Sequence, residues 1–429
     1  MLKRLICAFC IFCIVVVGVG CGSDSSNTAQ NNNHPKDGAN ISHNLKVVAN
    51  WDNLQCGCGT RNGYYDSIMW PFDMYEEESD YIHISNILYT DYNSHQRVYL
   101  CNVPGCAHNN EDCTSYIKYS AGLYLFTDAN EQYLFYVSTG AINGDATNDD
   151  EIGRIYRSNL DGSNRIELLK LDSTESFSYT GSVISDEDYI YYCVLAWDEE
   201  TKTVGKVIKQ ISIETGETKD LLFFDNNHYM DSVTKDGHIV ITDNTTPGNI
   251  CFYLFSPYTG EMQKAYEWNN YASAQKDGLL FFTRLDGDTG YLKVVDLNND
   301  SSSNTIGDIY TPADVGVMLW DCYEPYIHWS FFENNEHREY LINYRDGTVI
   351  ESGLYYINTS YSQTYRIVAD TEDRFLVIVG SNEKQTITQV DQNGIAHTYD
   401  YPDRPLYAMI LKEDYWNNNP TYELIDDLI

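Results

Sequence analysis

Three cysteines and a histidine stand within thirteen positions in the stretch YLCNVPGCAHNNEDC (99–113): Cys101, Cys106, His108 and Cys113. Three sulfur ligands and one imidazole suit tetrahedral Zn²⁺. Pro104-Gly105 makes a sharp turn that brings Cys101 and Cys106 together, and the polar run AHNNEDC lets His108 and Cys113 fold back. With four protein ligands such a site is closed, hence structural rather than catalytic. The same residues fit a second chemistry. Outside the cytoplasm neighbouring cysteines pair, and Cys56 and Cys58 in LQCGCGTRNG add two more thiols. Five cysteines over 56–113 allow two disulfides and leave one thiol over, so metal, disulfide and free thiol all stay open.

No other stretch carries a catalytic pattern. His-Glu-x-x-His, Gly-x-Ser-x-Gly, the P-loop and the dinucleotide-binding glycine pattern do not occur. LDGDTG (285–290) alternates Asp286 and Asp288 like the start of a calcium loop, but it lacks the later glutamate and fits a hairpin turn. DATNDDE (145–151) reads as a solvated loop. Cys193, Cys251 and Cys322 sit in strand-like apolar runs and read as small core residues.

Which sulfur chemistry applies depends on the compartment. The chain opens MLKRLICAFCIFCIVVVGVGCGSDSS, with Lys3 and Arg4 before an apolar run from Leu5 to Val17. That run is shorter than the roughly 20 residues a spanning helix needs, and its small-residue exit is that of a secretory signal. Small residues directly before Cys21 resemble the lipobox of bacterial lipoproteins, with Gly18 in place of the usual Leu. The resemblance implies cleavage before Cys21 and acylation of its thiol, with palmitate among the acyl chains. Residues 1–20 are then a signal peptide that removes Cys7, Cys10 and Cys13. Residues 21–50, rich in Asn and Ser over their first half, form the lipidated cysteine and a flexible tether.

With 63 acidic against 27 basic residues, the formal charge of −36 repels phosphate backbones and excludes nucleic acid as a partner. It also disfavours polybasic contact with a membrane. Attachment therefore rests on the lipid at Cys21, on the outer face of the cytoplasmic membrane, or at the outer membrane in a Gram-negative source.

The elements that position the cysteines repeat. Short runs rich in aromatic and β-branched residues, such as QYLFYVS, DYIYYCVLA, GHIVITD, GLLFFTR, YIHWSFF and RFLVIVGS, each follow a polar turn and read as strands. A second set of turns follows them: Asp161-Gly162, Thr215-Gly216, Thr259-Gly260, the region of Asp300, Asp346-Gly347 and Asn393-Gly394. Asp-Gly and Asn-Gly favour two-residue hairpins. A degenerate member is NILYTDYNSHQRVYLC, turning near Ser94. A four-stranded unit recurring every ~40–50 residues is a propeller blade. Residues 51–429 are thus expected to form an all-β propeller of seven four-stranded blades, with six or eight as alternatives. LYAMIL and TYELI are the expected closing strands.

RIYRSNLDGSNRIELL (154–169) resembles the blades of TolB-like and YWTD-type propellers. With the lipobox, the LC-x4-C-x-H-x4-C element and a terminal KEDYW…Y, the chain resembles a family of uncharacterised propeller lipoproteins of Gram-positive bacteria. The resemblance implies fold and location, and no activity. The expected role is a monomeric binding or scaffold module at the cell surface, meeting an envelope protein or glycan without catalysis. The alternative is a polysaccharide lyase or glycosidase whose site is assembled at the propeller axis.

Overall fold

Leu134, Phe135, Tyr136 and Val137 are consecutive and all buried. A strand sends alternate side chains to opposite faces, so a continuous apolar run requires cover on both. Leu134 and Tyr136 pack with Tyr65, Ile87 and Leu125 on one side, while Phe135 and Val137 pack with Ile190 and Tyr192 on the other. The sheet holding this run is therefore sandwiched between two neighbouring sheets, and the arrangement continues around a ring.

The computed structural model describes residues 44–50, 57–69, 84–118, 123–138, 152–178, 181–198, 203–225, 227–269, 273–286, 289–299, 301–309, 318–333, 336–358, 361–381, 386–390, 396–400 and 404–429. They belong to one unit, Ser42–Ile429. The signal, Cys21, most of the tether, Cys56 and the loop 145–151 lie outside the described residues.

Seven antiparallel four-stranded sheets follow one another in chain order, each running from its innermost strand outward. Blade 1 is Cys58–Gly59, Gly63–Met69, Ile84–Asp91 and Gln96–Tyr99. Blade 2 is Leu123–Thr127, Tyr133–Ser138, Arg154–Asn159 and Ile166–Lys170. Blade 3 is Ser182–Ser185, Tyr189–Asp198, Thr203–Ser212 and Thr218–Asp225, and blade 4 is His228–Val233, Ile239–Asp243, Ile250–Phe255 and Met262–Trp268. Blade 5 spans Ser273–Lys276 to Ser302–Ile309, blade 6 Met318–Tyr323 to Val349–Glu351, and blade 7 Arg366–Asp370 to Tyr422–Leu424. The all-β propeller of seven four-stranded blades is as expected; the only helix among the described residues is Lys412–Trp416.

Side chains fix the turns between the two inner strands. Asp128 accepts from the backbone N–H of Gln132 (2.8 Å) and Tyr133 (2.7 Å), and Asp186 from Asp188 (2.9 Å) and Tyr189 (2.7 Å). Thr234 and Thr371 do the same for His238 and Arg374, each at 3.0 Å. Such Asx- and Ser/Thr-turns satisfy backbone donors that the ladder leaves over. In LDGDTG, Leu285 and Asp286 pair antiparallel with Gly290 and Thr289, while Gly287 and Asp288 lie outside the described residues.

Three details depart from the sequence reading. Asn393-Gly394 lies outside the described residues, and the strands on either side, Thr386–Val390 and Ala396–Asp400, pair with each other and not with blade 7. The third and fourth strands of blade 7 are instead Pro405–Leu411 and Tyr422–Leu424, joined through the helix Lys412–Trp416. LYAMIL and TYELI therefore complete blade 7, and ring closure falls to Asp426–Asp427, which pairs in parallel with Gln96 and Arg97 of blade 1. Finally, Lys46–Asn50, assigned above to the tether, is a strand paired antiparallel with Ser182–Ser185, the inner strand of blade 3. It also touches the inner strands of blades 2 and 4, and Lys46 Nζ donates to the carbonyl of Ala129 at 2.8 Å. This strand lies on the axial side of the ring.

Candidate metal centre

The outer strand of blade 1 ends at Tyr99 and resumes at Tyr116–Lys118, which pairs with the same third strand, Ile84–Asp91. Both ends of the excursion meet on one residue. Leu100 N–H donates to the carbonyl of Ile87 at 3.0 Å, and Ile87 N–H donates to the carbonyl of Ser115 at 2.8 Å. Residues 100–115 are thus a loop with a pinched neck, and the loop carries all four candidate ligands.

Cys101, Cys106, His108 and Cys113 each offer a ligand atom, and these atoms all lie within 4.8 Å of one another. Tetrahedral Zn²⁺ with Zn–S bonds of about 2.3 Å sets its sulfurs about 3.8 Å apart, so a small inward turn of the side chains completes the geometry. His108 presents Nδ1, 3.3 Å from Cys113 Sγ. Cys101 and Cys113 are buried and Cys106 is half-buried. Gly105 (φ +76°) supplies the turn foreseen at Pro104-Gly105, closed by Cys106 N–H donating to the carbonyl of Val103 at 3.1 Å. His108 itself adopts φ +55°, which aims its ring back at the sulfurs. No disulfide joins any of the described cysteines.

The loop is held from three sides. Asn86, fully buried on the third strand of blade 1, donates to the carbonyl of His108 (3.0 Å) and to Ser115 Oγ (2.9 Å). Ser115 Oγ in turn lies 3.2 Å from Cys113 Sγ. Tyr99 stacks on the imidazole of His108 with centroids 4.1 Å apart. From blade 2, Arg165 donates to the carbonyls of Tyr116 (2.8 Å) and Thr114 (2.6 Å) while lying over the Tyr136 ring. The centre thereby ties blade 1 to blade 2.

The electrostatics suit ligation. Burial holds His108 below its ordinary pKa, keeping it neutral and able to bind a cation. Burial pushes the Cys101 thiol up, but hydrogen bonds from Val103 N–H, Cys113, Cys106 and Thr114 carry it below its usual value on balance. At Cys106 the N–H of His108 favours the thiolate, yet desolvation and the neighbouring thiols raise the pKa.

Cys58 stands apart. It is buried in the core between blades 1 and 2, and burial drives its thiol far up, which suits an inert core residue. Cys56, the other further disulfide candidate, lies outside the described residues. Cys193 and Cys322 are buried in the core, as expected, whereas Cys251 is only half-buried and is not a core residue. Sequence reasoning found the four ligand candidates and missed Asn86, Tyr99, Ser115 and Arg165. The available signal was Asn86 itself, a polar residue inside the strand ISNILYT, whose burial demands a partner.

No family model matches the chain, and no curated protein matches it. Among solved structures it is similar to the β-propeller domain of the Trilobed protease from Pyrococcus furiosus, at 9% identity and a TM-score of 0.48 over 86% of this chain and 93% of that one. It is also similar to TolB from Acinetobacter baumannii, at 14% identity and a TM-score of 0.37 over 84% and 79%. An acylaminoacyl peptidase from Pyrococcus horikoshii shares 11% identity at a TM-score of 0.47 over 84% of this chain. The alignment takes in 52% of that peptidase, about half its length. The propeller assignment rests on the strand pairing described above.

Proposed function

We infer that this chain is a lipid-anchored β-propeller on the outer side of a bacterial membrane, a binding or scaffold module that holds Zn²⁺ as a structural ion at Cys101, Cys106, His108 and Cys113. The observation that carries the binding reading is the strand Lys46–Asn50. It follows the tether and adds to the inner edge of blade 3 beside the inner strands of blades 2 and 4. The axial space that a propeller enzyme uses for substrate is here partly filled by the protein's own chain. Recognition then falls to the rim, where loops carry binding in most scaffolds. The zinc reading is supported by the donor set, by the neutral imidazole and by the mutual distances of the four ligand atoms.

Two measurements test this. Labelling cells with a palmitate analogue should mark the protein and should fail for Cys21→Ala, which should leave the membrane fraction. Purified protein should leave polygalacturonate and other acidic glycans intact; turnover abolished by substituting a carboxylate near the axis would replace the binding reading with the enzymatic one.

A further inference from the structure

Three sulfurs that gather around one ion can also join one another, and the loop is arranged for that exchange. The four ligand atoms stand within 4.8 Å of one another, so two sulfurs reach the 2.0 Å of a disulfide by side-chain rotation. The sulfurs are unequally placed. Cys113 is 2% exposed and held between His108 Nδ1 and Ser115 Oγ, whereas Cys106 is half-buried beside the open Gly105, whose missing Cβ would touch nothing within 4 Å. Cys101 and Cys106 flank the Val103–Gly105 turn, with Asn102 the one further residue between them.

Resting on the zinc reading above, we propose that the centre is a redox-gated metal site in which peroxide converts Cys106 and Cys101 into a disulfide and expels the zinc. The Cys106 thiolate attacks hydrogen peroxide, an S–O bond forms as the O–O bond breaks, and hydroxide leaves. The Cys101 thiolate then attacks the sulfenic sulfur, the S–S bond forms, and a second hydroxide leaves. Two thiolates have given up two electrons, peroxide has taken them, and two protons from solvent complete two waters. The ion is left with His108 and Cys113, too few ligands to hold it. Blade 1 keeps its sheet throughout, because the loop neck hangs on Ile87 and not on the ion.

The test is to load the purified protein with Zn²⁺, add hydrogen peroxide, follow released zinc with a chromogenic chelator and map disulfides by peptide mass spectrometry. The expected result is loss of one zinc per chain in step with one Cys101–Cys106 disulfide, reversed by dithiol and fresh Zn²⁺. Cys106→His, which keeps a fourth ligand without an oxidisable sulfur, should retain its zinc at the same peroxide concentration. Zinc bound tightly but unmoved by peroxide, or released without that disulfide, overturns the redox gate and leaves the zinc reading standing. A protein that takes up no zinc overturns both.

Discussion

The imidazole of His108 lies against the ring of Tyr99, with centroids 4.1 Å apart and planes 20° from parallel. Tyr99 is the last residue of the outer strand of blade 1, so its backbone is fixed by the sheet. His108 is nine residues further on, in a loop with left-handed backbone at φ +55°. The stacking carries the order of the strand into the loop and leaves Nδ1 facing Cys113 Sγ at 3.3 Å. Groups that orient a metal ligand are worth about 10–100-fold in affinity. Tyr99→Ala should therefore weaken zinc binding about tenfold, measured by competition with a chromogenic chelator. Tyr99→Phe keeps the ring and should bind as the parent does. Equal loss in both variants would mean that the phenol hydroxyl, not the stack, is what matters.

Gly162 and Gly260 occupy corresponding outer turns of blades 2 and 4, at φ +77° and +74°. An alanine at either costs about 1–2 kcal/mol for the left-handed backbone. At Gly260 nothing lies within 4 Å of the added Cβ. At Gly162 the Cβ would meet Leu100 Cδ2 at 2.9 Å, Thr114 Cβ at 3.0 Å and the Thr114 carbonyl oxygen at 3.1 Å, at the neck of the cysteine loop. Gly162→Ala should consequently lower the melting temperature more than Gly260→Ala, and only the former should also weaken zinc binding. Equal shifts from the two variants would show that the contact between blade 2 and the neck contributes nothing.

What the sequence displayed and what it hid follow from the range of the interactions. Runs such as YLFYV were legible because a blade buried on both faces needs unbroken apolar residues, and Asp161-Gly162 because its backbone demands glycine locally. The Asn393-Gly394 turn misled for the same reason, since a hairpin outside a blade needs the same turn as one within it. The true last strand of blade 7, Tyr422–Leu424, is three residues long and mostly exposed, too short to show a period. Lys46–Asn50 carries no alternation that distinguishes it from the polar chain before it; pairing with blade 3, more than 130 residues away, makes it a strand. In the candidate centre the ligand set was visible from spacing alone. Its supports Asn86 and Arg165 act from other segments of the chain; only Asn86, a polar residue inside an apolar strand, left a local mark, and Arg165 left none.

Ring closure depends on a buried charge cluster with the same long range. Arg97, 3% exposed, pairs with Asp66 of its own blade, lies 3.6 Å from Asp427 of the closing strand, and sits over the ring of Tyr407 in blade 7. Tyr407 Oη donates to Asp66 Oδ2 at 3.0 Å. Burial pushes the Asp66 carboxyl above its ordinary range, and the Arg97 guanidinium opposes that rise. Removing one partner of a buried pair strands the other, at roughly 3–5 kcal/mol. Arg97→Met should show a loss of that order in urea unfolding near neutral pH. The Asp66→Leu, Arg97→Met double variant should recover much of it, because the stranded carboxylate is gone. The pH dependence has a definite sign. A carboxyl whose folded pKa lies above its unfolded value makes the native state more stable as pH falls through the folded pKa, an effect complete below the unfolded one. Without Arg97 the Asp66 pKa rises further, so the Arg97→Met deficit should shrink as pH is lowered from about 7 towards about 4. A deficit independent of pH would mean that Arg97 acts at the closure through packing alone.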